Sequence, residues 1–171
     1  MKTIKILFLA SHWRVSLIKA FQDAKQSMEL ICADSDPLAA SFKEANRFQV
    51  LPLFSDANCL QSLLEICKAE KVSALVPLTN QAIEFIADHR HELEVDGRRL
   101  WIPQNRAIDI CHDKWKLFKF LIDKGFDTPS TFFPGKLEFS FPLIAKPRRG
   151  EGSKDVFFLE NSDDLEFYMK K

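Results

Sequence analysis

The residues most able to do chemistry in this sequence are concentrated in FPLIAKPRRGEGSKDVFF, residues 141–158. Lys146 closes an apolar run that reads as a buried strand, and the loop behind it holds Gly150, Gly152 and Ser153. A phosphate chain needs a point cation held at a fixed height, and backbone N–H groups that can approach it closely because glycine has no side chain. Lys146 supplies the first and the loop supplies the second. From spacing alone, the same segment also reads as an ordinary hairpin turn with an exposed lysine at a strand end.

The other reactive side chains form no comparable pattern. His89 and His91 are two apart on an expected helix and so point in different directions, while His12 and His112 are solitary, which disfavours a zinc site. His12 follows the first strand, where a substrate could pass, and also fits a capping or surface role. No G-x-S-x-G elbow occurs, and no cysteine has a histidine in a recognisable arrangement, so nucleophilic hydrolysis has no support. Glu151, Glu160, Asp163, Asp164 and Glu166 sit in a loop or at a helix start, where carboxylates serve the helix dipole, and they are not read as metal ligands.

The elements that must position these groups alternate along the chain. Ile4 to Ala10 is an apolar run too short for a helix and suited to a strand buried on both faces. Leu17, Ala20, Phe21 and Ala24 then recur at helical spacing, with Lys19 and Gln22 outside. Leu30 to Ala33 reads as a second strand, ended by the turn cluster Asp34 to Pro37. Leu60, Leu63, Leu64 and Cys67 mark a helix, Val72 to Leu78 a strand, and Ala82, Ile83, Ile86 and Ala87 another helix. Such alternation implies an α/β fold, a doubly wound parallel sheet whose ligand sites lie at the carboxyl ends of its strands. The candidate loops are Ser11 to Arg14, Asp34 to Pro37 and Thr79 to Gln81.

A short strand at Leu100 to Ile102 precedes helical segments at Asn105 to Cys111 and Asp113 to Lys124, the latter ended by Gly125 in the C′ position. Beyond Thr128 the pattern becomes two strands, Phe139 to Lys146 and Asp155 to Glu160, joined by the glycine loop, and then a helix from Ser162. The boundary between the two regions falls near Cys111 to Asp113. The apolar side chains at Phe139 to Pro142 and Val156 to Phe158 are expected to be exposed on this hairpin, where a homodimer partner could pair.

Composition narrows the partners. Lysine plus arginine and aspartate plus glutamate are both 24, so no net field selects nucleic acid or an anionic membrane. No run approaches the roughly 18 apolar residues of a membrane span. Cys32, Cys59, Cys67 and Cys111 form no C-x-x-C pair, which fits a reduced, cytoplasmic protein. The 16 phenylalanines fall mostly at periodic apolar positions and are read as core.

K-P-R-x-G-x-G-S after an apolar strand resembles the glycine-rich loop of the ATP-grasp superfamily, especially its carbamoyl-phosphate-synthase-like members. Upstream, DKWKLFKFLIDKGFDTPSTF, residues 113–132, resembles that family's D-K segment, and ADSDPLAASF and LVPLTNQAIEFIA resemble its pre-ATP-grasp domain. The resemblance implies a Rossmann-like pre-ATP-grasp domain over 1–111 and, over 112–171, the start of an α+β ATP-grasp lobe. Carried over residue by residue, Lys114 and Lys146 bind ATP phosphates, Gly150, Gly152 and Ser153 form the lid above them, and Arg148 is an extra contact. Lys154 and Asp155 stand where the family often has a glycine, and the first loop lacks G-x-G-x-x-G, which disfavours a dinucleotide site.

The activity implied is that of a carboxylate–amine ligase working through an acyl phosphate, with ATP and a small carboxylate or amino acid as ligands. Mg²⁺ is expected for the complete enzyme, on ligands outside this chain, so that this portion alone is expected to be inactive. Alternatives are a subunit of a split enzyme completed by a second chain, or a non-catalytic module that binds a small molecule.

Overall fold

The computed structural model describes residues 3–24, 27–133 and 140–170. They form two compact units, Met1–Gln104 and Asn105–Lys171.

The first unit is built on a parallel sheet of five strands in the order β3-β2-β1-β4-β5: β1 Ile4–Leu9, β2 Met28–Asp34, β3 Arg47–Val50, β4 Ala74–Pro77 and β5 Arg99–Leu100. The central strand shows why the sheet must be covered twice. Side chains alternate along a strand, so Ile6 and Phe8 enter one core with Ile18, Leu30 and Cys32, while Leu7 and Leu9 enter another with Ile31, Leu63, Leu75 and Ile86. Helix α1 (Val15–Asp23) covers the first face, and α2 (Cys59–Glu70) and α3 (Asn80–Asp88) supply the second. A short helix α4 (Arg90–Leu93) follows α3. This is the doubly wound α/β architecture the alternation implies.

Three details depart from the sequence reading. Helix α1 turns Ile18 into the core beside Phe21 and leaves Leu17 37% exposed, because Ile18 is the side chain that reaches Phe8 and Ile6. Strand β3 has no apolar run to announce it; it is a short edge strand held by β2, with Arg47 bonded to Glu29 and Glu70. A 3₁₀ turn at Ala40–Lys43 buries Phe42 under the first core.

In the second unit, α5 (Asn105–Cys111) precedes α6 (Lys114–Asp123), and β6 (Leu143–Ala145) pairs antiparallel with β7 (Phe157–Leu159) before α7 (Ser162–Met169). The hairpin is smaller than the sequence runs suggest, with three residues in each strand. Helix α7 packs back on it, the rings of Phe157 and Tyr168 lying 5.0 Å apart and Leu159 buried. Ile144, Val156 and Phe158 are exposed. Phe139 lies outside the described residues. Gly125 takes a left-handed φ of 75° directly after the C-cap Lys124, as the end of α6 requires. No helix among the described residues is long and apolar enough to cross a membrane.

Candidate functional site

The second unit gathers its polar groups where α6 begins. Asp113 is the N-cap: its Oδ1 accepts from the backbone N–H of Trp115 at 3.1 Å and of Lys116 at 3.0 Å, satisfying donors that the first turn leaves free. The same carboxylate, only 2% exposed, receives the Arg148 guanidinium through Nε at 2.8 Å and Nη2 at 2.7 Å. This two-pronged bond from Arg148 is the largest influence on the Asp113 carboxyl and holds it well below the usual carboxylate range, while its burial works the other way.

Two further bonds close the arrangement. The backbone N–H of Lys114 donates to the Arg148 carbonyl at 3.0 Å, and Lys114 Nζ donates to the Gly150 carbonyl at 3.1 Å. The start of α6 is thus tied to the loop after β6 by side chains and backbone together. The guanidinium of Arg148 also lies 5.7 Å from the centre of the Phe133 ring, which itself leans on Trp115 at 4.7 Å. Lys116, pointing elsewhere, bonds Asp109 on α5.

Of the six positions that sequence reasoning singled out, direct bonds join Lys114, Arg148 and Gly150. Lys146 is exposed just past the end of β6, and Gly152 and Ser153 occupy the turn that follows, so these three belong to the group by chain continuity. Gly150, Gly152, Ser153 and Asp155 all have positive φ, at 136°, 68°, 55° and 54°. A side chain at Gly152 would meet nothing within 4 Å, so the loop is open there. Arg148 is engaged with Asp113, and that engagement is what the sequence did not announce. The aspartate of the D-K pair was visible as the start of a helical segment, but its partner is 35 residues away.

The first unit carries a cleft of about 590 Å³ at the carboxyl ends of its strands. Asp34 and Ser35 after β2, and Thr79 and Gln81 before and within α3, line it, as their loops suggest. The loop Ser11 to Arg14 contributes only its base, Ala10, held at φ 55°. That loop is pinned elsewhere: Ser11 and Ser41 share a hydrogen bond at 2.9 Å, and the His12 N–H donates to Asp34 Oδ2 at 2.9 Å. Cys59 and Cys67 nearby are pushed up to about 11 by burial, so they pack as apolar groups. Among the described residues, no group of three or more His, Cys, Asp or Glu side chains could hold a metal ion.

A doubly wound parallel sheet, followed by a helix start locked to a glycine-bearing hairpin loop, is the arrangement that the resemblance to a pre-ATP-grasp domain and the start of an ATP-grasp lobe implies. Family models agree: the PylC-like N-terminal domain matches residues 6–100, and an ATP-grasp domain matches residues 111–171. The chain belongs to the family of the PylC-like N-terminal domain, with a match to the ATP-grasp domain following it. It is 27% identical to a carbamoyl-phosphate synthase of Methanobrevibacter smithii over 98% of this chain and 46% of that protein. Among solved structures, an L-amino acid ligase from Bacillus licheniformis superposes with TM-score 0.74 at 16% identity, over 99% of this chain and 42% of its own. The N5-carboxyaminoimidazole ribonucleotide synthetase of Thermotoga maritima gives 0.68 at 20% identity, over 96% and 43%. The chain therefore spans about half the length of the relatives it matches.

Proposed function

We propose that residues 105–171 grip the phosphates of ATP within an ATP-dependent carboxylate–amine ligase. The observation that carries this is the bonded set of Asp113, Arg148, Lys114 and Gly150, which fixes one lysine ammonium against the glycine loop. ATP supplies the phosphoryl group that activates a carboxylate toward an amine. The residues of this chain bind and orient it. Asp113 and Arg148 hold the base of the loop to the helix, so that the loop keeps its place when a ligand arrives. Lys114 exchanges the Gly150 carbonyl for a phosphate oxygen, and Lys146 adds a second cation from the end of β6. The left-handed residues Gly152 and Ser153 give the backbone the concave form that receives anions.

ATP-grasp enzymes also use Mg²⁺, and the described residues offer it no ligand set, so no step is assigned to the metal. The groups of the grip, from Asp113 to Ser153, fall within the second unit, Asn105–Lys171.

The test is equilibrium binding of a fluorescent ATP analogue to the chain and to Lys114→Met and Lys146→Met. A hydrogen bond to a charged partner contributes about 1.5–3 kcal/mol, so each substitution should weaken binding roughly ten- to a hundredfold. Unchanged affinity in both variants would overturn the grip and favour a non-catalytic module whose lysines no longer serve ATP.

A further inference from the structure

The hairpin of the second unit has one covered face and one bare face. Leu143, Ala145, Phe157 and Leu159 share the face against which Tyr168 of α7 packs, while Ile144 and Phe158, directly opposite each other in the ladder, are 57% and 59% exposed on the other. We infer that the bare face docks on the same face of a second copy of the chain, through a two-fold axis that sets Lys146 of each hairpin against Glu160 of the other.

The strand pairing lays out the face. Side chains alternate between the two sides of a strand, so Val156 and Lys146 continue the bare side at one end of the Ile144–Phe158 pair, and Pro142 and Glu160 continue it at the other. Val156 is exposed like the central pair. Two strands of three residues are not stable by themselves in water and depend on what packs against them. Helix α7 covers only one side. The other presents an apolar centre flanked by a cation at one end and an anion at the other.

Those charges select the partner. Lys146 and Glu160 are exposed, and among the described residues neither makes an ion pair. A partner of one sign would satisfy one and repel the other, whereas a second copy satisfies both. A two-fold axis lying between the two faces and across the strands reverses strand direction, so the Lys146 end of each hairpin meets the Glu160 end of the other and the same ion pair forms twice. Packed sheets stand about 10 Å apart, within the combined reach of a lysine and a glutamate side chain. An axis along the strands would bring the two lysine ends together and is disfavoured. The face is small, so the dimer is weak and depends on concentration. Lys146 also belongs to the proposed phosphate grip, but the docking argument does not depend on that grip.

Sedimentation equilibrium of the full chain, from micromolar to millimolar concentration, reads the association. The expected result is a reversible monomer–dimer equilibrium with no larger species, since a two-fold interface closes on itself. Ile144→Thr with Phe158→Thr places β-branched residues at two exposed strand positions and should raise the dissociation constant about tenfold or more. Lys146→Glu alone and Glu160→Lys alone should each do the same by setting like charges together. The double exchange, Lys146→Glu with Glu160→Lys, should restore the dimer, a recovery that altered folding would not produce. Lys114→Ala should leave the equilibrium unchanged, so this inference and the phosphate grip fail separately. A chain that stays monomeric at millimolar concentration would overturn the inference. So would a dimer indifferent to the Ile144 and Phe158 replacements, which would lie on another surface such as the edge strand β3, or a double exchange that associates no better than the single ones.

Discussion

Asp113 does two things with one carboxylate: it caps α6 through Trp115 and Lys116, and it binds both prongs of Arg148. Arg148 holds its carboxyl well below the ordinary range. A carboxyl lowered in this way adds stability that is complete above its unfolded value, about 3.9, and that disappears as pH falls through that value toward the folded one. The stability gap between the chain and Asp113→Asn should therefore be constant from neutral pH to about 5 and shrink steadily below about 4. Denaturant unfolding across that range measures it, and a gap that widens on acidification would contradict the assignment. Glu29, on β2, is shifted in the same direction, lowered by Lys5 first and Arg47 after it.

At the scale of elements, backbone and core make separable contributions. Gly125 ends α6 at φ 75°, and a methyl group there would meet nothing within 4 Å, so Gly125→Ala tests backbone conformation alone. It should destabilise by about 1–2 kcal/mol, the cost of a left-handed alanine. Leu63, fully buried in α2, should lose about 2–5 kcal/mol on replacement by alanine, because a cavity remains. Thermal unfolding ranks the two; a Gly125→Ala loss equal to that of Leu63→Ala would mean the helix end is packed, not merely turned. The same contrast explains what could be read in advance. β1 declared itself by a continuous apolar run and α3 by buried residues at helical spacing, whereas β3, an edge strand with Phe48 54% exposed and charged partners, has no such signature. Helix α1 was legible as a helix but not in its rotation, since Leu17 and Ile18 are equally apolar and only the neighbouring Phe8 and Phe21 decide between them.

Across the whole molecule, the sequence revealed the doubly wound sheet, the switch to an antiparallel hairpin, and the lysine and glycines of the loop after β6. It could not show the ion pair between Asp113 and Arg148, because nothing in the spacing of two residues 35 apart says that they meet. Nor could it show which residues meet in the cleft of the first unit, since its lining comes from several strand ends and from α3. The phosphate grip is the claim on which the functional account turns, and titration of the ¹⁵N-labelled chain with inorganic tripolyphosphate tests it most directly. The account expects saturable amide shifts at Lys114, Lys146 and Gly150–Ser153, abolished together in Lys114→Ala with Lys146→Ala. Shifts confined to other residues, or shifts at the loop that persist in the double variant, would contradict it.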